Sequence, residues 1–356
     1  MKITDVKVER FIWPRKVVIT NGKHTYPVVK FNVVTISTDE GITGYGYGHV
    51  DFVHYFRDML IGQDPLNNER LWDMMWVPKL VGRRGLSTRS ISTIDIALWD
   101  IKAKFAGLPL YKLLGGHKDK VPAYIAGGYY AEGKDMKALQ EEMQLYVSWG
   151  ARAVKMKVGA VSLREDAERV KAVREAIGPN VDLMLDANCA YKQYEAITFA
   201  KMVEEYQPFW FEEPVMPDDL KGMKRLSEAT TIPIATGENE YTRYGFRDLI
   251  EQNAVPILNA DAFILGGITE WMKVAALAQA YDLQVAPHGS QIVHVHLVSA
   301  VPNGLILEYY PEQFDPMLNS SYTRKLELNP DGTVTPPQVP GLGFEPNYEA
   351  LQPYRQ

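Results

Sequence analysis

The heptapeptide AVKMKVG, residues 153–159, places two lysines two positions apart in an otherwise apolar run of strand-forming residues. Successive side chains of a β-strand point to opposite faces, so Lys155 and Lys157 share one face. A short apolar run of this kind is typical of a strand that is covered on both sides. Two neighbouring ammonium groups in a protein interior raise each other's electrostatic energy, and burial adds to that cost. At least one of them is therefore expected to have a lowered pKa or a strong anionic partner.

The same pattern, a short apolar strand followed by a helical stretch, repeats along most of the chain. Eight such strands are predicted, at residues 121–127, 153–159, 181–188, 208–214, 233–238, 257–264, 284–289 and 305–310. Intervening stretches such as REDAERVKAVREAIG have helical periodicity, so the strands should be parallel, and eight βα units most simply close into a barrel. An open doubly wound sheet is the alternative, but no G-x-G-x-x-G motif opens its first helix.

The N-terminal third has a different sequence pattern. ITDVKVERFIW and VVKFNVVTISTDEGITGYGYG resemble antiparallel strands, and the apolar residues after them predict one face of a helix. That face is formed by Ile91, Ile94, Leu98, Ile101 and Phe105. The sequence thus predicts an α+β domain over residues 1–120 and a barrel domain over residues 121–324. The Pro- and Gly-rich tail, residues 325–356, is expected to pack back on the first domain.

Composition excludes several classes of protein. A chain of 356 residues that is 46% hydrophobic can fill a large core and a smaller one. Its 38 basic and 44 acidic residues form no basic block, so no nucleic-acid partner is expected. The single cysteine, Cys189, cannot form an internal disulfide, and neither a signal peptide nor a membrane-spanning run is recognisable. We therefore expect a cytoplasmic protein that acts on small molecules.

Three carboxylates follow three successive strands of the predicted barrel. Asp186, Glu212 and Glu238 are separated by 26 residues each, from 186 to 212 and from 212 to 238. Catalytic groups of such barrels lie at the carboxyl ends of the strands. Three carboxylates at one height repel one another unless a cation lies among them, and an all-oxygen set suits Mg²⁺ or Mn²⁺. The alternative is that these acids only cap the helices that follow.

Strands six to eight supply a second group of polar residues. Asp261 and His288 lie near the ends of neighbouring strands, where the carboxylate can fix the imidazole tautomer and raise its pKa. Glu308, on strand eight, lies roughly opposite Glu212. A lone histidine at a strand end is more often structural, but the preceding aspartate and the lysines opposite favour a functional one.

Together these groups describe a site for proton transfer. A substrate carboxylate held at the metal, with Glu308 on its far side, would have its α-carbon between Lys157 and His288. Loss of the α-proton gives an enediolate, which a divalent cation, Lys155 and a protonated Glu308 would stabilise. Lys155 is thus predicted to neutralise charge and, by its proximity, to keep Lys157 partly deprotonated and able to act as a base.

These motifs together resemble one family. KMKVG, DAN, EEP and GEN, followed by Asp261, His288 and Glu308, resemble the mandelate racemase subgroup of the enolase superfamily over nearly the whole chain. Sites of that superfamily are known to combine a Lys or His base with Mg²⁺ to stabilise an enediolate. The resemblance implies an α/β fold, a modified TIM barrel of the (β/α)₇β type with an N-terminal α+β capping domain. It also implies a homo-oligomer that binds one Mg²⁺ per subunit. The implied roles are a metal triad of Asp186, Glu212 and Glu238, a Lys157 base, and an Asp261–His288 dyad.

The resemblance indicates the shared half-reaction, loss of the α-proton to give an enediolate, more clearly than it indicates the final product. In this subgroup the same catalytic set serves racemases, cycloisomerases and, most often, sugar-acid dehydratases, in which the enediolate expels the β-hydroxyl. YIAGGYY in strand one and ATGEN in strand five look more like acid-sugar dehydratases. We therefore expect a Mg²⁺-dependent lyase that converts an aldonate or aldarate to a 2-keto-3-deoxy acid, with a racemase or cycloisomerase as the alternative. A Schiff-base aldolase would need no metal, and a non-catalytic sugar-acid binding protein would need no base on either face.

Substrate contacts are expected from the barrel and from two loops of the capping domain, residues 20–27 and 44–54, because such loops close over the barrel mouth. The predicted contact residues are Lys155, Asn188, Glu308, Lys23, His24, Tyr26 and His49. Other polar residues are given structural roles. The set comprises His294 and His296 as packing residues of a helix, Cys189 as a buried thiol, and Arg83 and Arg84 as a solvated pair.

Overall fold

The computed structural model describes residues 1–312 and 316–356. Its N-terminal part is an antiparallel sheet in the order β1–β2–β3, followed by five helices. These elements are β1 (Ile3–Thr20), β2 (Thr25–Thr38), β3 (Thr43–Tyr47), α1 (Val53–Leu60), α2 (Asn68–Met75), α3 (Pro78–Val81), α4 (Leu86–Phe105) and α5 (Leu110–Leu113). The predicted helix face is buried except at Phe105, which is exposed because α4 ends there.

The second part alternates strands and helices, and each strand falls within a predicted range. The elements are β4 (Val121–Ala126), α6 (Met136–Ser148), β5 (Ala153–Lys157), α7 (Leu163–Ile177), β6 (Asp182–Asp186), α8 (Gln193–Val203), β7 (Trp210–Glu212), α9 (Leu220–Ala229), β8 (Ile234–Thr236), α10 (Thr242–Glu251), β9 (Ile257–Leu258), α11 (Gly267–Ala280), β10 (Gln284–Val285), α12 (Gln291–Ala300) and β11 (Leu307–Tyr309). Because β4 to β10 are each followed by a helix and β11 completes the set, the arrangement is (β/α)₇β.

The eight strands form a closed parallel barrel. Hydrogen-bonded neighbours run in the order β10–β9–β8–β7–β6–β5–β4–β11. The two ends of this path meet where Val285 forms a parallel bridge with Gly304, and the amide of Leu305 donates to the carbonyl of Val285 at 2.8 Å. The predicted fold class, a modified TIM barrel with an N-terminal capping domain, is therefore confirmed.

Buried polar contacts hold the capping domain on the barrel. Asp95 of α4 accepts hydrogen bonds from the amide and hydroxyl of Thr269 of α11, at 2.8 and 2.6 Å. Trp72 of α2 donates from its indole nitrogen to the carbonyl of Gly266 at 2.7 Å.

Within residues 1–312 and 316–356, no helix combines the length and apolar character needed to cross a bilayer.

The C-terminal tail contacts both domains. It contains β12 (Thr333–Val334) and α14 (Tyr348–Leu351), and it is preceded by α13 (Pro316–Ser320). Arg355 pairs with Glu9 at 2.6 Å, and the amide of Gln356 donates to the carbonyl of Arg10 at 2.9 Å. β12, however, pairs antiparallel with β4 of the barrel. Assignment of residues 325–356 to the capping domain, and the boundary near residue 120, therefore remain predictions.

Candidate active site

The strand register places three charged side chains at one level of the barrel. Lys157 is paired with Asp186 across β5 and β6, and Asp186 is paired with Glu212 across β6 and β7. Glu238 differs, because the partner of Glu212 on β8 is Ala235, three residues earlier. The expectation of equal height, based on equal spacing, is therefore wrong for Glu238. The strands of a barrel are staggered, so equal spacing along the chain does not translate into equal height.

Asp186, Glu212 and Glu238 nevertheless converge, with one oxygen from each lying within 4.8 Å of the others. Burial raises the pKa of Glu212 to about 8, against the lowering effect of Lys155 and with the help of the Asp186 and Glu238 carboxylates. Among the described residues, the buried oxygens Glu238 Oε2 and Asn188 Oδ1 make no hydrogen bond. An all-oxygen set with mutual repulsion and an unsatisfied oxygen fits a hard divalent cation such as Mg²⁺.

Lys155 is enclosed behind this triad. Its side chain is fully buried, and Nζ lies 2.9 Å from Glu212 Oε2, 2.8 Å from Glu308 Oε1 and 3.3 Å from the hydroxyl of Tyr124. Burial lowers the pKa of Lys155, but Glu212 and Glu308 outweigh it and hold the pKa well above its ordinary value. Lys155 thus pairs with two carboxyl groups, and it is not among the described residues that line the neighbouring cavities.

The pKa values of two predicted groups are shifted in the direction opposite to expectation. Burial raises the pKa of Glu308, but the charges of Lys155 and His288 lower it to about 2, so Glu308 is a carboxylate rather than the expected acid. Lys157 forms a salt bridge with Asp186. Burial lowers the pKa of Lys157, but Asp186 outweighs it and raises the pKa above its ordinary value. Partial deprotonation was expected from the repulsion of Lys155, whereas the contact with Asp186 has the larger effect.

The predicted dyad is formed at the ends of β9 and β10. His288 Nδ1 lies 3.0 Å from Asp261 Oδ2, and its Nε2 lies 3.5 Å from Glu238 Oε2. Asp261 Oδ1 accepts the amide of Phe263 at 2.8 Å, which fixes the orientation of the carboxylate. Burial lowers the pKa of His288, but Glu238, Asp261 and Glu308 hold it well above its ordinary value. The ring remains 28% exposed, so it can reach a bound molecule.

Two adjoining cavities border these groups. The first, of about 420 Å³, is lined by Lys157, His288, Asn188 and Glu238 among others. The second, of about 610 Å³, shares Tyr26, Asn188, Glu238 and His288 with it. Since β5 and β10 are three strands apart around the barrel, Lys157 and His288 face the first cavity from different walls.

The residues predicted on capping loops fall into two groups. Tyr26 lines both cavities, while Lys23 and His24 line the larger one. The hydroxyl of Tyr26 accepts a hydrogen bond from Asn21 at 3.0 Å, and burial raises the pKa of Tyr26 to about 12, so the phenol is neutral. His49 instead lies 3.3 Å from Arg89 Nη1 and is not among the described residues that line either cavity.

Sequence reasoning missed two contacts at the strand ends that carry the triad, one to Glu212 and one to its neighbour Glu213. Trp210 donates from Nε1 to Glu212 Oε2 at 3.0 Å, and Asn239 donates to both oxygens of Glu213 at 2.9 and 3.1 Å. Trp210 precedes Glu212 by two residues on the same strand, so the alternation of side chains was a usable signal. Nothing local in the sequence pairs Asn239 with Glu213, because the two residues come from different strand ends.

The polar residues given structural roles are mostly packed as expected. His294 Nε2 accepts the amide of Ala262 at 3.0 Å, and His296 Nδ1 accepts the amide of Tyr111 at 3.3 Å. Both histidines are buried in α12, and burial raises the pKa of the buried Cys189 thiol. Arg84 is not simply solvated, because it lies 3.5 Å from Glu240 and 3.9 Å from Asp218.

The fold and the site define an enolase-type barrel with a carboxylate triad. Residues 138–351 match the family described as enolase C-terminal domain-like, and residues 3–115 match the mandelate racemase/muconate lactonizing enzyme N-terminal domain. The chain belongs to the mandelate racemase/muconate lactonizing enzyme family.

Several relatives are similar over most of their length. Arabinonate dehydratase of Saccharolobus solfataricus is 38% identical over 324 residues, which cover 87% of this chain and 86% of that protein. The 3,6-anhydro-alpha-L-galactonate cycloisomerase of Streptomyces coelicolor is 33% identical, covering 98% of both chains. The crystal structure of an L-talarate/galactarate dehydratase mutant liganded with Mg and L-glucarate aligns with a TM-score of 0.91 at 32% identity, covering 100% of this chain and 92% of that one.

Proposed function

We propose that this protein is a hydro-lyase that dehydrates a sugar acid, an aldonate or aldarate, to a 2-keto-3-deoxy acid. The observation that carries the proposal is that Lys157 and His288 line one cavity from different walls, beside the carboxylate triad. Elimination of water needs one group to take the α-proton and another to protonate the departing β-hydroxyl. The dehydratase activity named for the arabinonate and talarate/galactarate relatives supports this choice.

Asp186, Glu212 and Glu238 would hold Mg²⁺, for which Mn²⁺ is expected to substitute. When bound, the cation supplies Lewis-acid chemistry that offsets the charge developing on a substrate carboxylate. The talarate/galactarate dehydratase mutant is itself liganded with Mg, which supports this assignment.

Each of the remaining polar groups has a distinct task. Lys157 and His288 exchange protons with the substrate, and Asp261 orients the imidazole through Nδ1 so that Nε2 faces the cavity. The α-carbon loses its proton to one of them. The C–O bond at the β-carbon then breaks, water leaves with a proton from the other group, and the resulting enol tautomerises to the keto acid. Asn188 and Tyr26 border the cavity as neutral hydrogen-bonding groups for substrate hydroxyls, with Lys23 and His24 further out.

A second candidate function is isomerisation, as a cycloisomerase or a racemase, because these reactions share the α-proton step. The cycloisomerase relative, which matches 98% of both chains, favours keeping this candidate. A cytoplasmic location and a homo-oligomeric assembly remain predictions from the sequence.

The test is a screen of the purified protein with Mg²⁺ against aldonic and aldaric acids and their lactones in D₂O. Formation of a 2-keto-3-deoxy product supports the dehydratase. Deuterium incorporation with an isomeric product, and no keto acid, supports the isomerase instead. A double variant, Lys157→Met with His288→Asn, reports the non-enzymatic background. Absence of both product and deuterium incorporation across the whole library would contradict the proposal.

A further inference from the structure

A buried ion pair lies directly behind Lys157, on helix α7. Arg169 Nη1 donates to the backbone carbonyl of Lys157 at 2.9 Å and to Asp166 Oδ1 at 2.8 Å. Arg169 Nη2 donates to the carbonyl of Gly128 at 3.1 Å. Asp166 is fully buried and Arg169 is only 8% exposed. The guanidinium therefore joins the end of β5 to the segment that follows β4.

Asp166 extends the network past Lys157. One carboxylate oxygen accepts the amide of Gly159 at 2.7 Å and the hydroxyl of Tyr191 at 3.1 Å. The other accepts the hydroxyl of Tyr130 at 2.5 Å. The backbone at Lys157 and two residues beyond it is thus held by a single side-chain pair.

Tyr130 connects this network to the capping domain. Its backbone exchanges two hydrogen bonds with Thr20, at 2.8 and 2.9 Å, and its ring centroid lies 3.8 Å from the Arg169 guanidinium carbon. Thr20 begins the predicted substrate loop, residues 20–27, which contains Lys23, His24 and Tyr26.

The loop is seated directly on the strand ends at Gly22. A methyl group at that position would lie 2.7 Å from Ala190 Cβ and 2.8 Å from the Ala187 carbonyl. It would also lie 3.1 Å from the carbonyl of Val158, the residue after Lys157. Real Cβ atoms essentially never lie as close to a neighbour as the first two of these distances. The loop backbone at Gly22 is therefore already packed directly against the residues that follow the strands.

We infer that Asp166 and Arg169 are positioning residues that link the seating of the capping loop, residues 20–27, to the orientation of Lys157. This inference rests on the proposed role of Lys157 in proton exchange with the substrate. His288 is held differently, by Asp261, and its neighbour Gly289 donates to Glu308 at 2.6 Å. Perturbing the network should therefore impair one face of the site selectively, since neither of these contacts involves α7.

The chain offers a matched control on the same helix. Arg174 also donates to backbone carbonyls, those of Val181 and Gly178 at 2.7 and 2.8 Å, but at the amino end of the strands. Arg174→Lys therefore removes comparable contacts away from Lys157. The test variants are Arg169→Lys and Asp166→Asn. Tyr130→Phe deletes a single hydroxyl and serves if the charged variants do not fold.

Two measurements on the full-length protein with Mg²⁺ test the inference. The first is α-proton exchange in D₂O with sugar acids of each α-configuration, where Lys157→Ala identifies the configuration that depends on Lys157. We expect this exchange to fall about 100-fold in Arg169→Lys, as for a small misplacement of a catalytic group. Exchange that depends on His288 should change less than about threefold, since its contacts are retained. The second measurement is amide hydrogen exchange of residues 20–26, which should accelerate in the network variants and not in Arg174→Lys.

The outcomes separate this inference from the proposed function. The positioning role would be overturned if the network variants lost Lys157-dependent and His288-dependent α-proton exchange equally. Unchanged amide exchange of residues 20–26 in those variants would also overturn it. If the wild-type protein exchanges no acid, the proposed function fails. The amide-exchange measurement still decides whether the network holds the loop.

Discussion

Replacement of Asp261 by asparagine should invert the tautomer of His288. Asp261 Oδ1 accepts the amide of Phe263 at 2.8 Å, so the introduced carbonyl must stay there. The introduced NH₂ group then faces His288 Nδ1, which lies 3.0 Å from Asp261 Oδ2. Because an amide NH₂ can only donate, the neutral ring must carry its proton on Nε2, and the imidazolium form loses its partner.

The expected size of the effect follows from the lost contact. A hydrogen bond to a charged group contributes about 1.5–3 kcal/mol, and one pKa unit corresponds to about 1.36 kcal/mol. The pKa of His288 should therefore fall by roughly one to two units. In the wild-type protein the raised pKa stabilises the folded state fully below about pH 6.5, and this contribution is lost as the pH rises through the folded pKa. The free energies of unfolding of the two proteins should thus differ most below pH 6.5.

NMR titration of ¹⁵N-labelled histidine measures both the pKa and the tautomer. The protein has seven histidines, so His288→Asn is needed to assign the signal. Asp95→Asn, a buried substitution at the domain contact, is the matched control and should leave His288 unchanged. Turnover of Asp261→Asn should fall by roughly 10²–10⁴-fold, the contribution of one positioned acid–base group. An unchanged pKa, or a neutral ring still protonated on Nδ1, would refute the reasoning.

Three further perturbations have defined outcomes. Asp186→Asn, Glu212→Gln and Glu238→Gln should each abolish activity and Mg²⁺ binding measured by calorimetry, with the fold intact by circular dichroism; full activity would remove that residue from the triad. Lys157→Ala and His288→Asn should each stop turnover, while one of them retains α-proton exchange in D₂O. Normal turnover in both variants would contradict a mechanism in which Lys157 and His288 act on the substrate from different walls of the cavity. Burial lowers the pKa of His296 to about 4, so the free energy of unfolding should fall by roughly 3 kcal/mol as the pH falls from about 6.5 to 4. In urea unfolding, the free energy of unfolding of His296→Gln should depend less on pH over this range.

Elements that depend on local pattern were predictable from the chain. The alternation of short apolar strands with helical stretches identified all eight barrel strands, because period and length distinguish strand from helix within a few residues. Polar residues at strand ends predicted which side chains converge at the site, since parallel strands of one barrel bring their carboxyl ends to the same face. The exposed Phe105 shows the limit of this reasoning, because periodicity does not show whether the last residue of a helix is covered by another element.

What the sequence alone determined is which side chains reach the carboxyl face of the barrel. Only the tertiary structure decided how they are paired. The stagger of β8 places Glu238 three residues beyond the level of Glu212, and the contact with Asp186 raises the pKa of Lys157. Likewise, the two lysines of AVKMKVG have different surroundings. Lys155 is enclosed between Glu212 and Glu308, whereas Lys157 lines the cavity. The physical reason is that charge states and contacts depend on distances of a few ångströms between residues far apart in the chain, and strand register sets those distances.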